Sequence, residues 1–389
     1  MIDRRYGIGF CVLLLVIGVS CAPTGNPKGE VPRNAPSRGP VGMLPQQEAS
    51  PMANPQPQQP RLPNAAKARI EAAITVVEER DLLTSHSFWT VIHGILANGL
   101  DVALRDASTG KQYKAMDHIR QGKYIRGLRF IPTGTGVDVQ MGPTFEGQGH
   151  QDQFVGEIAQ CGLSLDTTFQ INGQEYLFKD FIDHTKARAR VNADQELSWT
   201  LVAVSQYEGT DCSWTNMFGE KLHFLDLVEY ELEQPIKEAA CGGTHRLFGL
   251  TWALHLHMRA GGKIEGTWAK VAAKLDKYKM FAREYQNPDG SFSSQYVSGP
   301  GYIPDLDRRI NTTGHVLEWL ALVLNDEEIH MPWVGNAANA LCVMILSGQG
   351  QLLDAGSLYH AGHGLRLYHR RVYGKSSGHH SPLLPLLDD

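Results

Sequence analysis

The stretch "QNPDGSFS", residues 286–293, decides how this chain is read. It separates two helical patterns, and Asp289-Gly290 at its centre is a turn signal, because Gly accepts a positive φ without steric cost and Asp bonds its own backbone. A turn alone requires neither Gln286 four residues before the glycine nor Phe292 two after it. That spacing implies a segment that closes one helix and starts the return toward the next.

Working outward, a repeat emerges in the helix starts. A polar or Gly/His-containing start precedes a helix apolar on nearly all sides in "HSFWTVIHGILA" from His86, "HQDQFVGEIAQCGL" from His150 and "ELSWTLVAVSQY" from Glu196. It recurs in "GGTHRLFGLTWAL" from Gly242, "NTTGHVLEWLALVL" from Asn311 and "GSLYHAGHGLRLY" from Gly356. Helices apolar all round must be buried. Amphipathic segments lie between them, such as "AKARIEAAITVVEERD", "EKLHFLDLVEYELEQ" and "WAKVAAKLDKYKMFAREY". Six buried helices alternating with six amphipathic ones suit a closed ring of helical hairpins with parallel inner helices. The starts of the inner helices then gather at one rim. The expected fold is all-α, with a small β insert near residues 124–146.

The pattern Lys277-x3-Phe281-x4-Gln286-x3-Gly290-x-Phe292 resembles the QW repeat of the terpenoid cyclase and protein prenyltransferase superfamily, whose fold is an α/α toroid. The resemblance implies that the Gln286 amide ties the end of an outer helix to the next helix start, with the aromatic stacked on it. Tyr278, Ala282 and Phe292 depart from the family pattern, and one copy covers less than a tenth of the chain. The catalytic signatures of that family are absent. The string nearest to its Asp-rich acid motif is "DLDRR" (305–309), with Arg308 where a carboxylate belongs, and no Asp-Asp-x-x-Asp run occurs. "NDEEIH" (325–330) reads as a solvated loop. Isoprenoid cyclization is therefore not expected.

The ends of the 389-residue chain read differently from its middle. Arg4-Arg5 precede the apolar run "YGIGFCVLLLVIGVSC", which is short for a membrane span and resembles a signal peptide of lipoprotein type (1–21), with Cys21 as the lipidated residue. Gly18 stands where such a signal usually has Leu, which leaves simple cleaved secretion as the alternative. Residues 22–63 are Pro-rich and almost free of aromatics, the composition of a disordered tether. The α/α-toroid domain is expected over 64–371 and a flexible tail over 372–389. Together these imply an exported protein of the periplasm or outer membrane, held to the membrane by a lipid anchor. A net charge of −5 without a basic run argues against nucleic acid as a partner. Export permits disulfides, and the expected fold places Cys161 and Cys212 at the same rim on adjacent hairpins, close enough to pair.

The expected rim carries the chemistry. His86, Trp89 and His93 share one helix face, and His150, Asp152 and Gln153 belong to the next inner helix. His245 and Arg246 follow, then Arg309, Asn311, His315 and Glu318, then Tyr359, His360 and His363. Any one of these is more often a satisfied structural residue than a catalyst, but five helix starts loaded alike point to a site. Helix N-termini add free N–H groups and positive dipole ends, which favour an anionic or hydroxyl-rich ligand. Asp152 and Glu318 are the expected acid/base pair, with His245 and His315 positioning or exchanging protons. His86, Trp89, His93, His150, Arg246, Arg309, Tyr359 and His360 are the expected substrate contacts. In "ACGGTHRL" (240–247), Cys241 and His245 stand at i, i+4, as in a zinc site or a Cys/His nucleophilic pair, or simply as a small buried Cys beside two glycines. No cofactor is required, and zinc is the one candidate. Three functions follow: an enzyme acting on a polar small molecule or polysaccharide, a prenyltransferase-like or cyclase-like metal enzyme, and a non-catalytic envelope scaffold.

Overall fold

The computed structural model describes residues 63–143, 145–191 and 196–374. The expected signal peptide with Cys21, the tether before Pro63 and the tail beyond Gly374 lie outside the described residues. Twelve α-helices dominate the described part. The odd-numbered ones are α1 (Pro63–Glu78), α3 (Ala115–Arg120), α5 (Phe178–Arg188), α7 (Phe224–Glu233), α9 (Gly266–Glu284) and α11 (Pro332–Ser347). The even-numbered ones are α2 (Phe88–Asn98), α4 (Gln153–Gln160), α6 (Ser198–Glu208), α8 (Thr244–Arg259), α10 (Leu306–Val323) and α12 (Ala355–Tyr373). The even helices coincide with the six segments expected to be buried, and α12 extends two residues into the expected tail. No described helix is long and apolar enough to cross a membrane.

The even helices carry much of the core, with Phe88, Phe154, Leu201, Trp252, Trp319 and Leu365 fully or almost fully buried. They pack in sequence, α2 on α4, α4 on α6, α6 on α8, α8 on α10 and α10 on α12, and α12 packs back on α2. The α10–α12 crossing is especially close because Gly314 on α10 and Gly364 on α12 present no side chain at the contact. A Cβ on Gly314 would stand 2.8 Å from the Ala361 Cα, and one on Gly364 would stand 2.9 Å from the Glu318 backbone nitrogen. This approach brings the middle of α10 against His360 and His363.

The Gln286 turn does two jobs. The Gln286 amide donates to the carbonyls of Gly290 and Trp333, both at 2.9 Å, so it closes its own turn and ties the end of α9 to the start of α11. Phe292 is buried and meets the Trp333 ring edge-on at 6.2 Å. Gly290 has φ 88°, a left-handed conformation, and a Cβ there would stand 2.7 Å from the Asn336 carbonyl oxygen. The two residues that a simple turn would not need are therefore the ones that lock α9 to α11.

Four antiparallel hairpins interrupt the helices. One, β3 (Phe130–Thr133) with β4 (Gly136–Val139), falls in the expected insert. The other three were not expected: β1 (Ala103–Arg105) with β2 (Gln112–Lys114), β5 (Thr168–Ile171) with β6 (Gln174–Leu177), and β7 (Ser213–Thr215) with β8 (Lys221–His223). Each of these three follows an even helix and leads into an odd one. Asn172-Gly173 between β5 and β6, both at positive φ, is the strong hairpin signal that the sequence did offer.

The expected Cys161–Cys212 bridge is corrected here, because Cys161, Cys212, Cys241 and Cys342 are all free. Cys161 is buried with its thiol toward the Ile95 carbonyl, and Cys212 is only half-buried elsewhere. Alkylation of unreduced, unfolded protein should therefore label Cys161 and Cys212 on separate peptides. Recovery of a linked peptide by mass spectrometry would contradict this.

Candidate functional site

Five histidines from five different helices or helix starts converge on one cavity of about 540 Å³. They are His93 on α2, His150 just before α4, His245 on α8, His315 on α10 and His360 on α12. Their rings form a chain: His93 lies 5.1 Å from His360, His360 4.0 Å from His315, His315 5.5 Å from His245 and His245 4.8 Å from His150. Trp89 lies against His93 with its ring tilted and, with Phe145 and Tyr296, adds aromatic surface to the wall. Asp305 and Asp354 cap α10 and α12 by accepting from the backbones of Arg308 and Ser357, at 2.7 and 2.8 Å. Both also line the cavity, together with Asp307 and Arg308, so the discounted string "DLDRR" belongs to the site.

Backbone strain concentrates here. Five described non-glycine residues have positive φ, and three of them, Phe145, Cys241 and Tyr296, line the cavity. Cys241, Gly242 and Gly243 are left-handed in succession at the entry to α8. Tyr296 covers this turn so closely that a Cβ on Gly242 would stand 2.2 Å from its ring. Such conformations persist only where the surroundings enforce them, and they cluster at functional sites.

Each ring is held differently. His93 donates from Nδ1 to the Trp89 carbonyl at 2.6 Å, and its Nε2 accepts from the Gln153 amide at 3.3 Å. His315 donates from Nδ1 to the Asn311 carbonyl at 2.8 Å, and its buried Nε2 has no hydrogen-bond partner. His360 donates from Nδ1 to Glu318 at 2.9 Å, while His363 meets the other oxygen of the same carboxylate at 2.5 Å. His150 pairs through Nδ1 with Glu196 at 2.9 Å. His245 is buried with neither ring nitrogen bonded. An unsatisfied buried polar group costs about 1–3 kcal/mol, so the His245 and His315 nitrogens are expensive as they stand.

Burial and mutual repulsion keep most of these rings neutral. Burial, then the charges of neighbouring histidines, hold His245 well below the usual range, and burial with the His360 charge brings His315 down to about 3. Burial also lowers His93, while for His360 the Glu318 carboxylate outweighs burial and raises the pKa. A small void of about 10 Å³ lies against two of the rings, lined by His245, His315, Glu318, Gln160, Trp199, Thr244 and Phe248.

Several expected site residues stand elsewhere. Asp152 is buried away from the cavity wall, where it pairs with Arg188 and accepts from Thr185 and Thr200 at 3.1 and 2.6 Å. Its partners come from α5 and α6, which draw the side chain off the wall. His86 does not join the other histidines, because its Nδ1 accepts from the Leu83 backbone at 3.2 Å in the loop before α2. Arg246 turns to the buried Glu231 at 2.7 Å, and Arg309 pairs with Asp289 and packs on Tyr302. Tyr359 is core and packs near Gly94. Glu318 is central but lies under the rings. Sequence reasoning missed Glu196, Tyr296 and Arg308, and gave Cys241 only as an alternative metal or nucleophile candidate.

Comparison with protein-family models, with curated proteins and with solved structures returned no match. The chemistry of the cavity is therefore the only guide to function.

Proposed function

We propose that this protein is an enzyme acting on a polar, hydroxyl-rich substrate of the glycan class in the His-lined cavity. The closed packing order of the even helices supports the α/α-toroid reading, with six helical hairpins and the cavity at one end of the inner helices. The observation that carries the function is the composition of the wall. Aromatic faces (Trp89, Tyr296, Phe145) alternate with carboxylates, Arg308 and Asn311 around several titratable rings. Sugar rings need this combination, an apolar face to stack on and a few placed polar groups to fix orientation. The chain would work outside the cytoplasm on a lipid anchor, as its first residues suggest.

The acid/base roles move from the residues first expected. Asp152 is engaged by Arg188 and Glu318 by two histidines, which leaves neither free to exchange protons with a substrate. The His150–Glu196 pair is better placed. Its carboxylate fixes the imidazole through Nδ1 and leaves Nε2 to take or give a proton.

Oligosaccharides with and without uronic acids, assayed for binding by calorimetry and for turnover by new reducing or unsaturated ends, test the reading. Binding of at least one class is expected, weakened on the order of 10-fold or more by Trp89→Ala, and turnover should fall by roughly 10²–10⁴-fold in His150→Ala. If no glycan binds, or if Trp89→Ala leaves binding unchanged, the reading is wrong.

A further inference from the structure

We infer that His245, His315 and His360 form a transition-metal site, with a fourth coordination position open to the cavity. This inference rests on the cavity being the functional site and adds a cofactor to it. One ligand nitrogen from each of the three buried rings lies within 4.8 Å of the others. A tetrahedral ion with bonds of about 2.0–2.1 Å sets its ligand nitrogens roughly 3.3 Å apart, so small rotations of the rings would complete the set. All three rings line the large cavity, so an ion held among them would face it.

The groups behind the rings argue the same way. A metal-binding histidine characteristically gives its other N–H to a carboxylate or a carbonyl, which fixes the tautomer and aims the free nitrogen. His360 does so to Glu318 and His315 to the Asn311 carbonyl. The nitrogen that this leaves on His315 is buried and unpartnered, as are both nitrogens of His245. Glu318 is in turn fixed by His363, so the second layer is itself held. Three imidazoles with one open position, His360 giving up its second proton as the ion binds, suit zinc or a neighbouring first-row divalent ion. Such an ion would polarise a substrate oxygen or lower the pKa of a bound water. His150, Cys241 and His245 form a second possible group, sharing His245. His150 and Cys241 are only partly buried, whereas all three rings of the first group are buried.

The test uses chelator-treated full-length protein titrated with Zn²⁺ and with Co²⁺. About one ion per chain is expected, with the visible ligand-field bands of four-coordinate Co²⁺. His245→Ala removes a ring that holds no hydrogen bond, so it should fold normally and lose the bands. His315→Ala and His360→Ala should lose them too, and Glu318→Gln should weaken the ion 10–100-fold or so through His360. Failure to take up a stoichiometric ion would overturn the site. Loss of the ion in Cys241→Ser with retention in His360→Ala would move it to the other group and overturn this assignment. Ion binding without any glycan binding would refute the proposed substrate class and leave the metal site standing. Glycan turnover unaffected by the chelator and by His245→Ala would do the reverse.

Discussion

Replacing Glu318 by alanine is expected to destabilise the fold by about 3–5 kcal/mol, the usual effect of removing one partner from a buried ionic pair. For a domain of this size that corresponds to a fall in Tm of roughly 5–8 °C. Glu318 is almost fully buried and is the common acceptor for His360 and His363, which approach it from one helix. It can occupy this place only because Gly314 and Gly364 let α10 and α12 come into near-backbone contact. Burial alone would raise its pKa, but the His360 charge and the two imidazole hydrogen bonds outweigh it and hold the carboxyl below its usual range. The sign follows. A depressed carboxyl contributes stability above its ordinary value of 4.5 and loses it as the pH falls through the lower folded value. The raised His360 contributes below its ordinary 6.5 and loses that as the pH rises through its folded value. The pair is therefore strongest between these limits. Glu318→Gln keeps an acceptor and the shape, so chemical denaturation near pH 6 should show a loss roughly half as large. A Glu318→Ala protein within about 1 kcal/mol of wild type would mean that the two imidazoles do not depend on this carboxylate.

The sequence carried the helical periodicity well, because burial on all sides leaves long apolar runs such as "FWTVIHGILA" that no exposed helix tolerates. The Gln286 turn was legible for a related reason: a side chain recruited to tie helices must sit at a fixed offset from the turn it closes. Four of the histidines that line the cavity were legible as a set because each lies just before or within the first two turns of a buried helix, whereas His315 sits midway along α10. The misplaced residues share a different cause. Asp152 stands on the expected rim in sequence, but Arg188, which draws it away, comes from α5 and has no local signature. Arg246 likewise follows His245 directly, yet one step along a helix turns it about 100° toward Glu231 on α7. The short hairpins escaped because strands of three or four residues are too brief to show alternation, and only the Asn172-Gly173 turn marked one of them. Local pattern fixes which residues fall on the buried even-numbered helices. Which way a charged side chain turns is decided by partners distant in the chain.

In chelator-treated protein, Glu157→Gln is expected to gain stability relative to wild type as the pH rises from about 4.5 to about 8. Glu157 lies one turn after Gln153 on α4 and is fully buried. The Gln153 amide donates to one of its oxygens at 2.7 Å, and the other has no partner. Burial pushes its pKa up to about 8, aided by the nearby Glu318 and only partly opposed by His360 and the Gln153 hydrogen bond. His93 stands 3.8 Å away but is itself held neutral by burial, so it supplies no compensating charge. The folded protein thus keeps a proton that the unfolded chain releases above 4.5. The resulting stabilisation is fully present below that pH, declines across the interval and is gone above about 8. Glutamine preserves the shape and the acceptor for Gln153 but cannot ionise. Near pH 5 the variant and the wild type should differ by no more than about 1 kcal/mol. At pH 9 the variant should be the more stable by several kcal/mol, since each unit of pKa displacement is worth about 1.4 kcal/mol. Denaturant titrations of both proteins across this range provide the measurement. Parallel curves would show that Glu157 is ionised in the native state, with a counter-charge other than His93.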